Sequence, residues 1–216
     1  MDAANSPIDI RTAVEKLLCT AGARFGLAGH GSCTDAPFPP IFHDERGAPY
    51  LRGNDGREDR GLLVSKTDEE ASTLIAWVRP GGGSPVIGFG IDLVTLADFE
   101  GERGRILVHH LLTRQDMRLA PELSPSPAAA RGYAFSAKEA AFKACSQPLR
   151  AWVDAGRGEF CFEARGFELA DAAHEQGTAR KGEAQAAMDA LGIARIELLR
   201  APADGLLITA AFALAR

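Results

Sequence analysis

From residue 62 to residue 94 the chain breaks into three short apolar runs, LLVSKTD, STLIAWV and PVIGFGIDLV, separated by charged or glycine-rich turns. Runs of this length, rich in β-branched residues, suit strands better than helices, which need a longer stretch at 3.6-residue periodicity. Further strands are expected at 159–165, 193–200 and 205–215, and the last, strongly apolar run suits a central strand. The turn at Gly81, Gly82, Gly83 and Ser84 lacks a following GK[ST] and opens no helix, so it reads as a flexible hairpin loop rather than a phosphate cradle.

Helical signals alternate with these strands. Ser6 and Pro7 read as an N-cap and first helical residue ahead of Ile10, Val14, Leu17 and Leu18, predicting a helix over about 7–21. Residues 22–40 are rich in Gly and Pro and read as loop, with His30 a plain loop residue. Phe99, Ile106, Leu107, His110 and Leu111 are spaced to share one helical face, and a second short helix is expected from Thr113. Pro125 and Pro127 break the chain before a helix at 134–145, and a last helix at about 182–191 ends at Gly192. His109 and His110 point about 100° apart on a helix, which is poor geometry for chelating one ion.

Composition narrows the function classes. In 216 residues, 46% hydrophobic, there is material for a substantial core. A formal charge of -5 disfavours general nucleic-acid binding, so an anionic ligand or acidic partner requires a local basic patch. No run approaches the ~18 apolar residues of a membrane span and no signal-like segment opens the chain, which predicts a cytoplasmic protein with no membrane partner. Cys19, Cys33, Cys145 and Cys161 are scattered without a CxxC pair, which suits neither a zinc site nor a disulfide framework.

Two segments carry candidate chemistry. Asp92 interrupts an apolar run, where an ionised carboxylate costs several kcal/mol unless paired. Taken alone it fits a strand end, a structural salt bridge or a ligand. In FSAKEAAFKA, Glu139 and Lys143 are four residues apart and share a helix face, while Lys138 points elsewhere. Phe135 and Phe142 fall on nearly the same side as each other, setting Glu139 near a partly buried stripe. Surface support and a functional pair both remain open on this evidence.

Read together, GFGIDLVTL and, about 45 residues later, FSAKEAAFKA resemble the paired signature of the 4'-phosphopantetheinyl transferase superfamily. Its G-[IV]-D-[IVL] form appears as Gly90-Ile91-Asp92-Leu93, and [FW]-x-x-K-E-[AS]-x-x-K runs from Phe135 to Lys143. RILVHHLLTRQDMRLA resembles the family's helix and [LF]-[ST]-x-x-[DE] segment, and GEAQAAMDALGIARIELL the carboxyl-terminal region of holo-acyl-carrier-protein synthases. Residues 45–85 more weakly resemble the amino-terminal half of the longer, surfactin-synthetase-activating type. Gly47-Ala48-Pro49 matches its G-x-P turn, and Ser65-Lys66-Thr67 replaces its S-H-S strand.

The resemblance implies an α+β fold of two similar αβ halves, 1–85 and 86–216, forming an intramolecular pseudo-dimer with the site between them, and a monomeric chain. It implies an enzyme moving phosphopantetheine from coenzyme A to a serine of an apo-acyl or peptidyl carrier protein with Mg²⁺. Asp92 and Glu139 would hold the metal, with Glu139 also a proton acceptor. Lys143 would meet the pyrophosphate, and Lys66, Lys138 and Arg46, with Arg52 nearby, would hold coenzyme A. Val94 stands where longer members carry a second acidic residue, and Lys66 where they carry histidine. These departures also suit a non-catalytic relative that binds a carrier protein or nucleotide as a scaffold.

Overall fold

The computed structural model describes residues 9–34, 40–44, 47–53, 55–69, 72–157, 163–171, 176–179 and 183–216. The chain runs α1 (Ile10–Phe25), β1 (Leu27–Cys33), β2 (Ile41–His43), β3 (Pro49–Leu51), β4 (Leu63–Glu69), β5 (Ser72–Pro80) and β6 (Val86–Thr95). It continues through α2 (Gly101–Leu111), α3 (Arg114–Leu123), α4 (Pro127–Ala144), α5 (Ser146–Asp154), β7 (Phe167–Asp171), β8 (Gln176–Ala179), α6 (Glu183–Ala190), β9 (Ile193–Ala203) and β10 (Leu206–Ala215). Short 3₁₀ turns at Leu96–Phe99 and Ala164–Gly166 precede α2 and β7.

Among the described residues three antiparallel sheets form, in the orders β1-β5-β4, β6-β10-β9-β8-β7 and β2-β3. β10 is bonded on both sides, to β6 and β9. Its side chains alternate between two cores: Leu207, Ala211 and Ala213 join the one beneath α4, and Ile208, Ala210, Phe212 and Leu214 the one that includes α1. A strand buried on both faces reads as an unbroken apolar run, and each large side chain removed from water contributes about 1.5–3 kcal/mol.

The two larger sheets meet along an edge without a backbone ladder. On β6 the N–H groups of Phe89, Ile91, Leu93 and Thr95 donate in turn to Gln147, Ser65, Thr67 and Glu69 side chains, at 3.2, 2.9, 3.4 and 2.9 Å. The period-two register of β6 is thus matched by alternate β4 residues Ser65, Thr67 and Glu69, with Gln147 of α5 serving Phe89, and donors that would otherwise be orphaned at the seam are satisfied.

Several boundaries differ from the sequence expectations for local physical reasons. α1 starts at Ile10 because the Asp9 side chain accepts from the Thr12 N–H and caps it; Ser6 and Pro7 lie outside the described residues. It runs to Phe25, ending on Gly26 at φ 66°. Residues expected as loop instead include β1, whose Gly31 leaves room for the Trp77 indole: a Cβ there would meet the ring at 2.4 Å. The glycine turn at 81–83 is no hairpin, since β5 and β6 belong to different sheets. It is tied instead to the end of α1, with Gly81 N–H on the Gly26 carbonyl and the Ser84 hydroxyl on that of Phe25.

Pro127 opens α4 as its first residue, with Ser126 capping, so the helix starts earlier than expected. The face expected for α2 is turned: Ile106 is 58% exposed and Val108 buried, because Gly104 packs against the Phe99 backbone. The strand expected at 159–165 gives a 3₁₀ turn over Ala164–Gly166 with β7 following; 158–162 lie outside the described residues. Among the described residues no helix is long and apolar enough to cross a membrane.

Candidate active site

Glycine lets α4 approach β6. A Cβ at Gly88 would lie 1.9 Å from the Ala144 carbonyl oxygen, and one at Gly90 would lie 2.1 Å from that of Ala140. Both contacts are far inside any tolerable separation, so the bare backbone of β6 is what seats the alanine-rich face of α4. Asp92, two residues further along the same face of β6, is carried beneath the second half of that helix.

There Lys143 Nζ donates to Asp92 Oδ1 at 2.6 Å and to the Ile91 carbonyl at 3.3 Å. The Thr67 hydroxyl, from β4, donates to the same Oδ1 at 3.3 Å. Asp92 is 5% exposed, and its other oxygen, Oδ2, is buried without a hydrogen-bond partner. Burial pushes the Asp92 carboxyl pKa above its ordinary value, against the opposing influence of Lys143, Ser136 and Thr67. The Ser136 hydroxyl exerts that influence from nearby without reaching hydrogen-bond geometry. Glu139, half-buried, also titrates high, first through burial and then through the Asp92 charge, with Lys143 pulling the other way. The two carboxylates therefore feel each other across the α4–β6 contact.

This donor set suits a hard divalent cation: two carboxylates in mutual repulsion, one with a buried oxygen that lacks a hydrogen-bond partner. Asp92 and Glu139 are the residues that could hold it. Among the described residues no cluster of three or more His, Cys, Asp or Glu forms a metal cage.

Lys143 also lines a cleft of about 380 Å³ between α4–α5 and the β2–β4 segment, together with His43, Lys66, Phe142 and Arg150. Lys66 is a third exposed and paired with Asp68 at 2.8 Å. Arg150 reaches from α5 to Asp44 at 3.2 Å and Glu58 at 2.7 Å, and lies over the Tyr50 ring. It thereby fastens the small β2–β3 sheet that forms one wall of the cleft. Nothing in the sequence around Arg150 marked it, because its partners are about a hundred residues away in the chain.

The other predicted site residues lie elsewhere. Lys138 is 1% exposed and donates to the buried Asp116 at 2.7 Å and to the Arg165 backbone carbonyl at 3.3 Å. An ammonium locked in a buried ion pair does not reach a ligand, so its expected contact with coenzyme A is corrected to a structural bond. Arg52 is stacked 3.8 Å from the Phe42 ring centroid, and Arg46 lies outside the described residues. Phe135 packs on Phe99, whereas Phe142 is 39% exposed at the cleft, so the two do not form one buried stripe. Val94 is buried in the core beneath α4.

A second, larger groove of about 1080 Å³ runs along α2 and α3. Arg105, His109, Arg114, Arg118, Arg131 and Arg165 surround an apolar floor that includes Met117, 44% exposed. In a chain of net charge -5 this is a concentrated positive patch. Arg131 stands two turns before Glu139 on α4, roughly 12 Å along the helix axis at 1.5 Å per residue.

No curated protein matches the chain. Among solved structures, holo-[acyl-carrier-protein] synthase from Neisseria meningitidis is similar over 59% of this chain and 98% of its own, at 18% identity and a TM-score of 0.43. Holo-ACP-synthase from Plasmodium yoelii is similar over 61% and 96%, at 17% identity and a TM-score of 0.38. Residues 88–189, which hold Asp92, Glu139 and Lys143, match the profile of the 4'-phosphopantetheinyl transferase superfamily.

Proposed function

We propose that this protein transfers the 4'-phosphopantetheine group from coenzyme A to a serine of an apo-acyl or peptidyl carrier protein, with Mg²⁺ held by Asp92 and Glu139. The observation that carries the reading is the Asp92 carboxylate, bonded through Oδ1 to Lys143 and left with a buried, unpaired Oδ2 beside Glu139. In the reaction the serine oxygen bonds to the β-phosphorus, the bond to adenosine 3',5'-bisphosphate breaks, and the serine proton passes to Glu139. A carboxyl pKa raised by burial suits Glu139 to accept that proton. Lys143, flexible and a third or less exposed, can follow the pyrophosphate as its charge shifts. Magnesium, when bound, supplies charge neutralisation at the phosphate oxygens.

The cleft at Lys66, Lys143 and Arg150 is our candidate for coenzyme A, and the α2–α3 groove for an acidic carrier protein, its positive charge offsetting the chain's net negative charge locally. We read 1–85 and 86–216 as two αβ halves of a pseudo-dimer, supported by the separate sheets that meet at the β4–β6 seam. On this reading one chain supplies the whole site and acts as a cytoplasmic monomer.

The test is incubation with coenzyme A, Mg²⁺ and a panel of apo-carriers, read by intact-mass spectrometry. Gain of one phosphopantetheine by a carrier supports the reading, and no gain on any carrier contradicts it. A scaffold reading is favoured by the buried Val94 and by Lys66 being tied to Asp68. Carrier binding without mass gain would select it.

A further inference from the structure

Asp92 (Oδ2), Ser136 (Oγ) and Thr209 (Oγ1) are among the described residues with a buried side-chain oxygen that lacks a hydrogen-bond partner, and these three lie together. Ser136 and Thr209 are both 0% exposed. Thr209 stands directly opposite Asp92 in the β10–β6 ladder, and opposed residues on antiparallel strands share a face with Cβ atoms about 4.5–5.5 Å apart. That face is the one beneath α4, since Val94, Leu207 and Ala211 belong to the α4 core while Ile91, Leu93, Ile208 and Ala210 belong to the core on the other side. Ser136 comes down onto it from α4, one turn before Glu139.

A buried hydroxyl left unpaired costs about 1–3 kcal/mol, and valine or alanine would fill the same space without that cost. Thr209 is moreover the one polar residue of LLITAAFALA. Two such hydroxyls placed on the same face as the free oxygen of a buried carboxylate call for a common explanation. A hydroxyl hydrogen rotates freely, and a carboxylate oxygen has two lone pairs, so one can take a hydroxyl donor and the other a metal.

The geometry points to Ser136 and Thr209 as positioning residues for Asp92: their hydroxyls fix the carboxylate plane from the Oδ2 side, as Lys143 and Thr67 fix it from the Oδ1 side. This deepens the proposed function and rests on its reading of Asp92 as a metal-holding group. Groups that orient a ligand in this way typically change metal affinity about 10–100-fold when removed.

The experiment is Mn²⁺ titration of the full chain, saturated with coenzyme A and without carrier, followed by electron paramagnetic resonance. Thr209→Val and Ser136→Ala each remove a hydroxyl, whereas Thr209→Ser keeps it and removes only a methyl group. We expect Mn²⁺ affinity to fall about tenfold in each of the first two and to stay at the wild-type value in Thr209→Ser. Equal affinity in wild type, Thr209→Val and Ser136→Ala overturns the positioning role and leaves the proposed function standing. Equal losses in Thr209→Val and Thr209→Ser also overturn it, assigning the effect to packing. Absence of bound Mn²⁺ in the wild type overturns the metal reading and this inference with it. Should Thr209→Val fail to fold, Ser136→Ala against wild type decides the question.

Discussion

Lys143 on α4 donates to Asp92 on β6 at 2.6 Å although 51 residues separate them in the chain. The contact exists because Gly88 and Gly90 let the helix backbone rest on the strand. It brings the two motifs of the family signature into one site, with Glu139 one turn from Lys143 and coupled to Asp92 by charge.

Glu139→Gln keeps the shape of the side chain and removes its charge. Transfer is expected to fall by about 10²–10⁴, the usual contribution of a positioned acid–base group, with no loss of thermal stability. Steady-state rates and a melting curve on the same preparation check both.

The same variant tests the raised pKa. Folded Glu139 holds its proton to higher pH than the unfolded side chain, whose value is near 4.5. Across the interval from there up to the folded value the native state is the more protonated, so stability falls as pH rises. Urea denaturation at a series of pH values should show that slope in the wild type and a smaller one in Glu139→Gln, measured without divalent ions.

Gly90→Ala places a methyl group 2.1 Å from the Ala140 carbonyl oxygen. The obstructing atom is helix backbone and cannot swing aside, so the helix must lift. A destabilisation of about 1–3 kcal/mol or more is expected, together with loss of transfer. Chemical denaturation and the mass-gain assay report the two effects.

Arg150→Met removes the tie from α5 to Asp44 and Glu58. Two strands of three residues have little stability of their own. Faster amide exchange in β2 and β3 is expected, with a raised KM for coenzyme A and little change in kcat. Unchanged exchange would remove Arg150 from the wall-fastening role.

The candidate residues were legible in the sequence because each motif is local, Asp92 in an apolar run and Glu139 with Lys143 at helical spacing, and it was the resemblance of the pair to one signature that joined them. Lys138 was misread because helical geometry tells that it faces away from Glu139, and not that a buried Asp116 waits on that side. β1 was missed because its glycines lack strand propensity, and the Trp77 ring that Gly31 admits is distant in sequence. Ile106 misled for a similar reason, since Gly104 on the Phe99 backbone sets the rotation of α2. Arg150 acts through partners distant in sequence and carries no local pattern that would betray its role.

Crystals grown with coenzyme A and Mn²⁺, measured at the manganese edge, test the central claim most directly. The account predicts one anomalous peak contacted by both the Asp92 and the Glu139 carboxylates, at roughly the 2.1 Å expected of a small hard cation. A bound coenzyme A with no peak between those two side chains, or with a peak held by other residues, would contradict it.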